Sequence, residues 1–188
     1  KGLIDDQRTL THEMGHAINF YLMGSNVDYL YCTGTEYEME IPSTFNEELF
    51  VDYALANYDR ETALAVLADS INDYVNYFTF QPMITEFEDA AHDLCRQKGN
   101  LSGRELNQLW TSLSRQYRTS LVDYYAEDNA QWTYVSHIYF TNNYYTFSYA
   151  LSKAITLSLF KMYKEDPQKF NGNYAAYLSA GSTMTPPD

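Results

Sequence analysis

Cysteine is scarce in this sequence, with Cys32 and Cys95 the only two in 188 residues. Two such thiols build no disulfide framework and lack zinc-finger spacing. They are expected as incidental thiols of a reducing compartment, which points to a cytoplasmic location. Long apolar runs are missing too: no window approaches 18 uninterrupted apolar residues, so no transmembrane helix is expected. Positive charge is in short supply, with 12 Lys and Arg against 25 Asp and Glu, giving a formal net charge of −13. That balance argues against nucleic acid and against an anionic membrane surface as partners. Internal repeats, low-complexity tracts and βαβ alternation are likewise absent, which removes solenoids and parallel-sheet folds.

What remains is a globular composition, 45% hydrophobic and 20% charged. The length suffices for one domain with a real core and is too short to argue for two, so residues 1–188 are expected to form a single helical catalytic domain. The opening Lys1-Gly2-Leu3-Ile4 carries no initiator methionine and no signal-peptide pattern, and Ser182 to Asp188 reads as a turn-like end. The chain is therefore expected to be a piece of a longer protein.

Periodicity predicts an all-α fold with room for a small strand pair before Glu36. A first helix runs from an N-cap at Asp5 or Asp6 to about Met23, with Leu10, Met14, Ile18 and Leu22 as its apolar stripe and Gly24-Ser25-Asn26 as its end. A loop or short extended piece with Tyr29 and Tyr31 follows, through Thr35. Because Pro42 belongs in a first turn or at a kink, Glu40 should lie near the start of a second helix reaching Tyr58. Arg60 to Lys98 is helical with a break near Gln81-Pro82, and Leu64, Val66, Leu67, Ile71 and Val75 are its expected core positions. Ser102 and Glu105 form a capping box opening a helix to Tyr117. Two more helices cover Asn143 to Tyr163 and Phe170 to Leu178, the latter ending at Gly181.

The chemistry concentrates at Thr11-His12-Glu13-Met14-Gly15-His16, an HExxH pattern. On a helix, residues four apart stand one above the other, so both imidazoles leave one face and can converge on a metal with a position open for water. Glu13 lies about 100° round the helix, where a carboxylate can address that water without displacing a histidine. A third ligand is needed, and Glu36, Glu38 and Glu40 all qualify; Glu40 falls 24 residues beyond His16, but spacing does not rank the three. Glu47, seven residues past Glu40 on the same face, is a candidate to support a ligand rather than be one. His137 with Tyr144, Tyr145 and Tyr149 forms a second cluster, readable as neutral donors to an oxyanion or as aromatic core packing. His92, on a polar helix face, reads as ordinary surface.

The stretch from Asp5 to Glu48, with Thr9-Leu10-Thr11-His12-Glu13-Met14-Gly15-His16 and then Glu40-Ile41-Pro42-Ser43-Thr44-Phe45-Asn46-Glu47, resembles the oligoendopeptidase F and thimet oligopeptidase group of zinc metallopeptidases. The resemblance continues through Met83 to Glu88, Leu101 to Tyr117, His137 to Tyr139 and Tyr145 to Tyr149, nearly the whole chain. It departs at Phe80, where the bacterial enzymes usually carry arginine before the glutamine. The resemblance implies Glu40 as third ligand to one Zn²⁺ per chain, with His12 and His16. It implies Glu13 as general base, and His137, Tyr149 and Tyr145 as catalytic donors. It also implies short peptides as substrates, and a preceding part of the same protein packed on this one.

The function expected on these grounds is a zinc endopeptidase for short oligopeptides. A dipeptidyl carboxypeptidase of the angiotensin-converting type shares the HEMGH stretch, but the Ile41-Pro42-Ser43 context argues against it. A catalytically inactive peptide-binding relative is the reading from another class, and the intact His12, Glu13, His16 and Glu40 argue against that.

Overall fold

A computed structural model describes residues 3–118, 123 and 125–183; the expected turn-like end at 184–188, Lys1-Gly2, and Tyr124 lie outside the described residues. The first helix, α1, spans Ile4–Asn26. Asp6 acts from inside its first turn and not as the N-cap, since its carboxylate reaches back to accept the Leu3 amide at 3.3 Å. The helix also runs through Gly24: Ser25 Oγ and Asn26 Nδ2 donate to the carbonyls of Tyr21 and Leu22, so these two polar residues ride the last turn and do not break it.

The stripe predicted for α1 points the other way. Leu10, Met14 and Ile18 are 65%, 47% and 41% exposed, while Gly15, Asn19 and Met23 are buried. Periodicity marked one helix face correctly as apolar, but the face packed against protein is the one carrying the glycine and the buried amide.

Residues Tyr29–Tyr31 form a 3₁₀ turn, not a strand, and no strand occurs among the described residues. The reason is local: the Asp28 side chain accepts from Leu30 N and its carbonyl from Tyr31 N, which curls the backbone onto itself.

The second helix, α2, spans Glu36–Asn57, starting a full turn before the predicted position. Thr35 caps it, with Glu38 Oε2 accepting from Thr35 N at 2.8 Å and Thr35 Oγ1 at 2.7 Å. Pro42 thus sits inside the helix. A proline there has no N–H for the carbonyl four residues back, here that of Glu38. Tyr177 Oη supplies the missing bond, donating to Glu38 O at 3.2 Å.

Helix α3, Arg60–Val75, buries Ala63, Val66 and Ser70. Of its predicted core positions only Val66 is fully buried; Leu64, Ile71 and Val75 are exposed, because the stripe lies one step round from the packed face. A π-helical turn at Asn76–Phe80 is the expected break, followed by α4, Gln81–Lys98, with Pro82 in its first turn. Helix α5, Gly103–Tyr117, begins at the predicted capping box, with Ser102 Oγ accepting from Glu105 N. A 3₁₀ stretch covers Ala126–Tyr134, a one-turn helix α6 covers His137–Phe140, and α7 spans Phe147–Glu165. Helix α8, Pro167–Ala180, stops at Gly181, whose φ of 53° favours glycine.

The chain divides into two compact units, residues 1–73 with 151–188, and residues 74–150. In the first, α1 packs on α2 and α8, and Asn19 Nδ2 donates to Leu178 O at 2.9 Å. Its core is aromatic, with Phe45 stacked on Phe170 at 5.3 Å between ring centroids and tilted on Tyr174 at 4.6 Å. In the second, Met83, Ile84, Phe87, Trp110 and Leu113 form the core. Phe80, the departure from the bacterial pattern, packs edge-on against Trp110 in this core. No helix among the described residues is long and apolar enough to cross a membrane.

Candidate metal centre

The site is built where α1 and α2 touch. Gly15 is the contact: a Cβ placed there would lie 2.3 Å from the Pro42 carbonyl oxygen and 2.6 Å from Ser43 Cα. Only a residue without a side chain allows the two backbones this near. Around that contact α1 presents His12, a turn before Gly15, and His16, next to it, and α2 presents Glu40, two residues before Pro42.

The three residues offer ligand atoms that all lie within 4.8 Å of one another. Glu40 Oε2 stands 3.5 Å from His12 Nε2 and 3.6 Å from His16 Nε2. Glu40 is buried and both histidines are half-buried, with their rings edge to face at 5.1 Å. Two imidazole nitrogens and one carboxylate oxygen converging from two helices fit a zinc ion that keeps one position open. Glu36 sits a turn nearer the start of α2, and Glu38, half a turn nearer, is occupied with the Thr35 cap.

Behind the ligands lies a row of buried polar groups. Ser43 Oγ donates to Glu40 Oε2 at 3.0 Å. His12 Nδ1 is hydrogen-bonded to Glu47 Oε1 at 2.8 Å, which leaves Nε2 turned to Glu40. Glu47 Oε2 in turn accepts from Lys153 Nζ at 2.9 Å, and the same ammonium reaches Glu48 Oε1 at 2.7 Å. Thr44 Oγ1 and Thr156 Oγ1 share a hydrogen bond of 2.7 Å.

Burial would lower the His12 pKa, but hydrogen bonds and charge from Glu40 and Glu47 outweigh it and push it up to about 9. For Glu47, burial pulls the pKa upward, and the bond to His12 with the nearby Lys153 brings it down to about 2. Lys153 loses solvation through burial yet is held above its ordinary value by Glu47 and Glu48. An imidazole, two carboxylates and an ammonium thus hold one another in place along this row.

Glu13 is exposed on the turn of α1 that carries His12. His137, Tyr145 and Tyr149 come together in the unit of residues 74–150. His137 Nε2 and Tyr149 Oη share a hydrogen bond of 3.0 Å, and the His137 ring stacks on Tyr145 at 5.4 Å. Tyr144 leaves this group: its φ is 64°, and its amide and hydroxyl donate to Glu88 and Asp89. His92 lies against the Tyr144 ring at 5.9 Å.

Sequence reasoning missed Lys153 altogether. The available signal was a single cation in the run Tyr149-Ala150-Leu151-Ser152-Lys153-Ala154-Ile155-Thr156-Leu157, where its neighbours are apolar or small. It also missed Ser43 and the contact role of Gly15.

Over 100% of its own length the chain is 28% identical to chromosomal oligoendopeptidase F of Lactococcus lactis subsp. cremoris, of which it covers 31%. It is 26% identical to an oligoendopeptidase F homolog of Borreliella burgdorferi, covering 98% of the chain and 31% of that protein. The crystal structure of oligoendopeptidase-F from Enterococcus faecium superposes with a TM-score of 0.67 at 27% identity, over 93% of this chain and 31% of that one. The chain thus spans about a third of the length of these relatives. The profile of peptidase family M3 matches residues 3–188. On that match, which takes in both helices of the metal centre, the chain belongs to peptidase family M3.

Proposed function

We propose that this chain is the metal-holding part of a zinc endopeptidase that cleaves short oligopeptides. The observation carrying the reading is the convergence of His12, His16 and Glu40 within 4.8 Å, with Glu13 exposed beside His12. The names of the relatives, oligoendopeptidase F, support the substrate class. Zinc at these three residues would polarise a scissile carbonyl and lower the pKa of a bound water towards ~7. Glu13 takes a proton from the attacking water and returns it to the leaving amine. Ser43 and Glu47 hold Glu40 and His12 in place through the bonds already described. The resemblance gives His137, Tyr149 and Tyr145 the part of donors to the oxyanion; the hydrogen bond between His137 and Tyr149 and the stack of Tyr145 on the His137 ring, which gather the three, support it.

The partner we propose for the outward face of α1, with Leu10, Met14 and Ile18, is a further stretch of the same polypeptide, since the relatives are about three times as long. The chain alone should then self-associate or cleave far more slowly than the longer protein. A stable monomer with undiminished kcat/KM removes that partner. A cytoplasmic location is part of the same proposal and rests on the sparse thiols.

The deciding experiment pairs zinc content with cleavage of a quenched peptide blocked at its C-terminus. An endopeptidase cuts it, a dipeptidyl carboxypeptidase does not, and a peptide-binding module turns over neither form. Glu13→Gln should keep stoichiometric zinc and lose about 10²–10⁴ in kcat, because an amide cannot accept the proton. Substantial turnover by that variant takes Glu13 out of the mechanism.

A further inference from the structure

We infer that Lys153 is a positioning residue for the metal centre, acting on His12 through Glu47; this rests on the zinc reading above. Lys153 is 2% exposed, among the most buried large side chains of the protein. An ammonium in such a place costs several kcal/mol of desolvation unless it is paired and hydrogen-bonded. Its partners are Glu47 Oε2 at 2.9 Å and Glu48 Oε1 at 2.7 Å, both on α2 and both buried.

The geometry gives the pairing a direction. Glu47 has two oxygens, and Lys153 holds Oε2. That fixes the rotation of the carboxylate and leaves Oε1 facing His12 Nδ1 at 2.8 Å. A carboxylate is an acceptor only, so Nδ1 must donate to Glu47, and Nε2 is the nitrogen left to face Glu40 and His16. With Lys153 gone, Glu47 loses the partner that fixes Oε2, and its carboxylate can turn. Turning would take Oε1 away from His12 Nδ1, free the imidazole to rotate and spoil Nε2 as a ligand.

Charge balance points the same way. Glu40, Glu47 and Glu48 are three buried carboxylates packed along one helix face. A divalent ion held at His12, His16 and Glu40 and one ammonium would together balance their three charges. Lys153 thus comes from α7, the far end of the chain, to complete a site whose ligands all lie within the first 40 residues.

The test is made on the full chain with zinc alone as the probe. Zinc dissociation constants come from chelator competition, and the His12 tautomer from imidazole ¹⁵N shifts of the zinc-loaded protein. Lys153→Met keeps the length of the side chain and removes its charge. It should weaken zinc by about 10–100-fold, the usual cost of losing support behind a ligand, and mix the His12 tautomers. Lys153→Arg should restore most of the affinity. In a Glu47→Gln background, where the amide oxygen still accepts from His12, Lys153→Met should change zinc affinity less than threefold. If Lys153→Met alone fails to fold, adding Glu47→Gln and Glu48→Gln keeps the test informative, because the triple variant replaces the whole buried ion cluster by neutral groups, which proteins often tolerate. Undiminished zinc affinity with an unmixed tautomer in Lys153→Met overturns the inference, as does a loss in the double variant more than tenfold beyond Glu47→Gln. Failure of the unsubstituted protein to hold zinc overturns the metal reading itself and is thereby told apart.

Discussion

Gly15→Ala is the smallest change that should dismantle the metal centre without touching a ligand. The added Cβ would meet the Pro42 carbonyl oxygen at 2.3 Å and Ser43 Cα at 2.6 Å, where ordinary contact begins near 3.4 Å. Both obstacles are backbone, so neither can swing aside. One helix must retreat by about 1 Å, in a close-packed interface that transmits such shifts instead of absorbing them. Glu40 Oε2 now stands about equally far from both imidazoles, at 3.5 and 3.6 Å, and metal–ligand distances tolerate only ~0.2 Å. Overpacking of this kind costs typically 1–3 kcal/mol of stability. If half of a roughly 3 kcal/mol strain is set against zinc binding, affinity falls at least tenfold. Gly24→Ala is the control, since nothing lies within 4 Å of a Cβ there and the same helix carries it. That variant should be neutral or gain up to ~1 kcal/mol from helix propensity. Urea denaturation of the zinc-free proteins and chelator competition for zinc would measure both terms. Wild-type zinc affinity in a folded Gly15→Ala variant would refute the reasoning, because it would mean that the helix spacing does not set the ligand triangle.

Two further expectations concern individual residues. Glu40→Ala should abolish stoichiometric zinc while Glu36→Ala keeps it, and Glu38→Ala should keep zinc but lose about 1 kcal/mol of stability with the Thr35 cap; elemental analysis and denaturation melts check all three, and zinc retained in Glu40→Ala moves the third ligand elsewhere. Tyr149→Phe removes one hydroxyl from the bond to His137, and if that hydroxyl serves an oxyanion, kcat should fall ~10²–10³ with a smaller change in KM; a change in KM alone makes it a residue for binding, and none at all returns it to packing.

How much of this could be read beforehand depended on range along the chain. His12 and His16 share a face because they are four residues apart, a relation that any helix enforces. The capping box at Ser102 is equally local, and it stands where the sequence puts it. Glu40 was one of three carboxylates at similar spacing, and only the family resemblance chose among them. The start of α2 was misplaced because Pro42 looked like a first-turn residue; a tyrosine on α8, which supplies the bond that proline forfeits, lies 135 residues further on. The stripe Leu10, Met14, Ile18 has real helical period, yet period does not say which face meets the protein. Lys153 was invisible because lysine within a helix ordinarily means solvent. What makes it core is a pair of glutamates more than a hundred residues earlier.

The division of the chain carries a consequence for the order in which the molecule can be completed. Residues 74–150 form a unit interposed between the two stretches of the other, 1–73 and 151–188. On a ribosome the three candidate ligands emerge within the first 40 residues, but Lys153, Thr156, Tyr177 and the Leu178 carbonyl emerge more than a hundred residues later. At ~5–20 residues per second, α1 and α2 therefore wait roughly 5–25 s before Lys153 can reach Glu47, or Tyr177 the Glu38 carbonyl that Pro42 leaves open. During that wait the histidines can meet zinc with Glu47 not yet held by Lys153. The nascent α1–α2 hairpin should consequently bind zinc weakly and exchange it fast, and tight retention should set in only when α7 and α8 arrive. Nascent chains stalled at residue 150 and at residue 188 plus a tether long enough to clear the exit tunnel would differ in zinc off-rate for that reason.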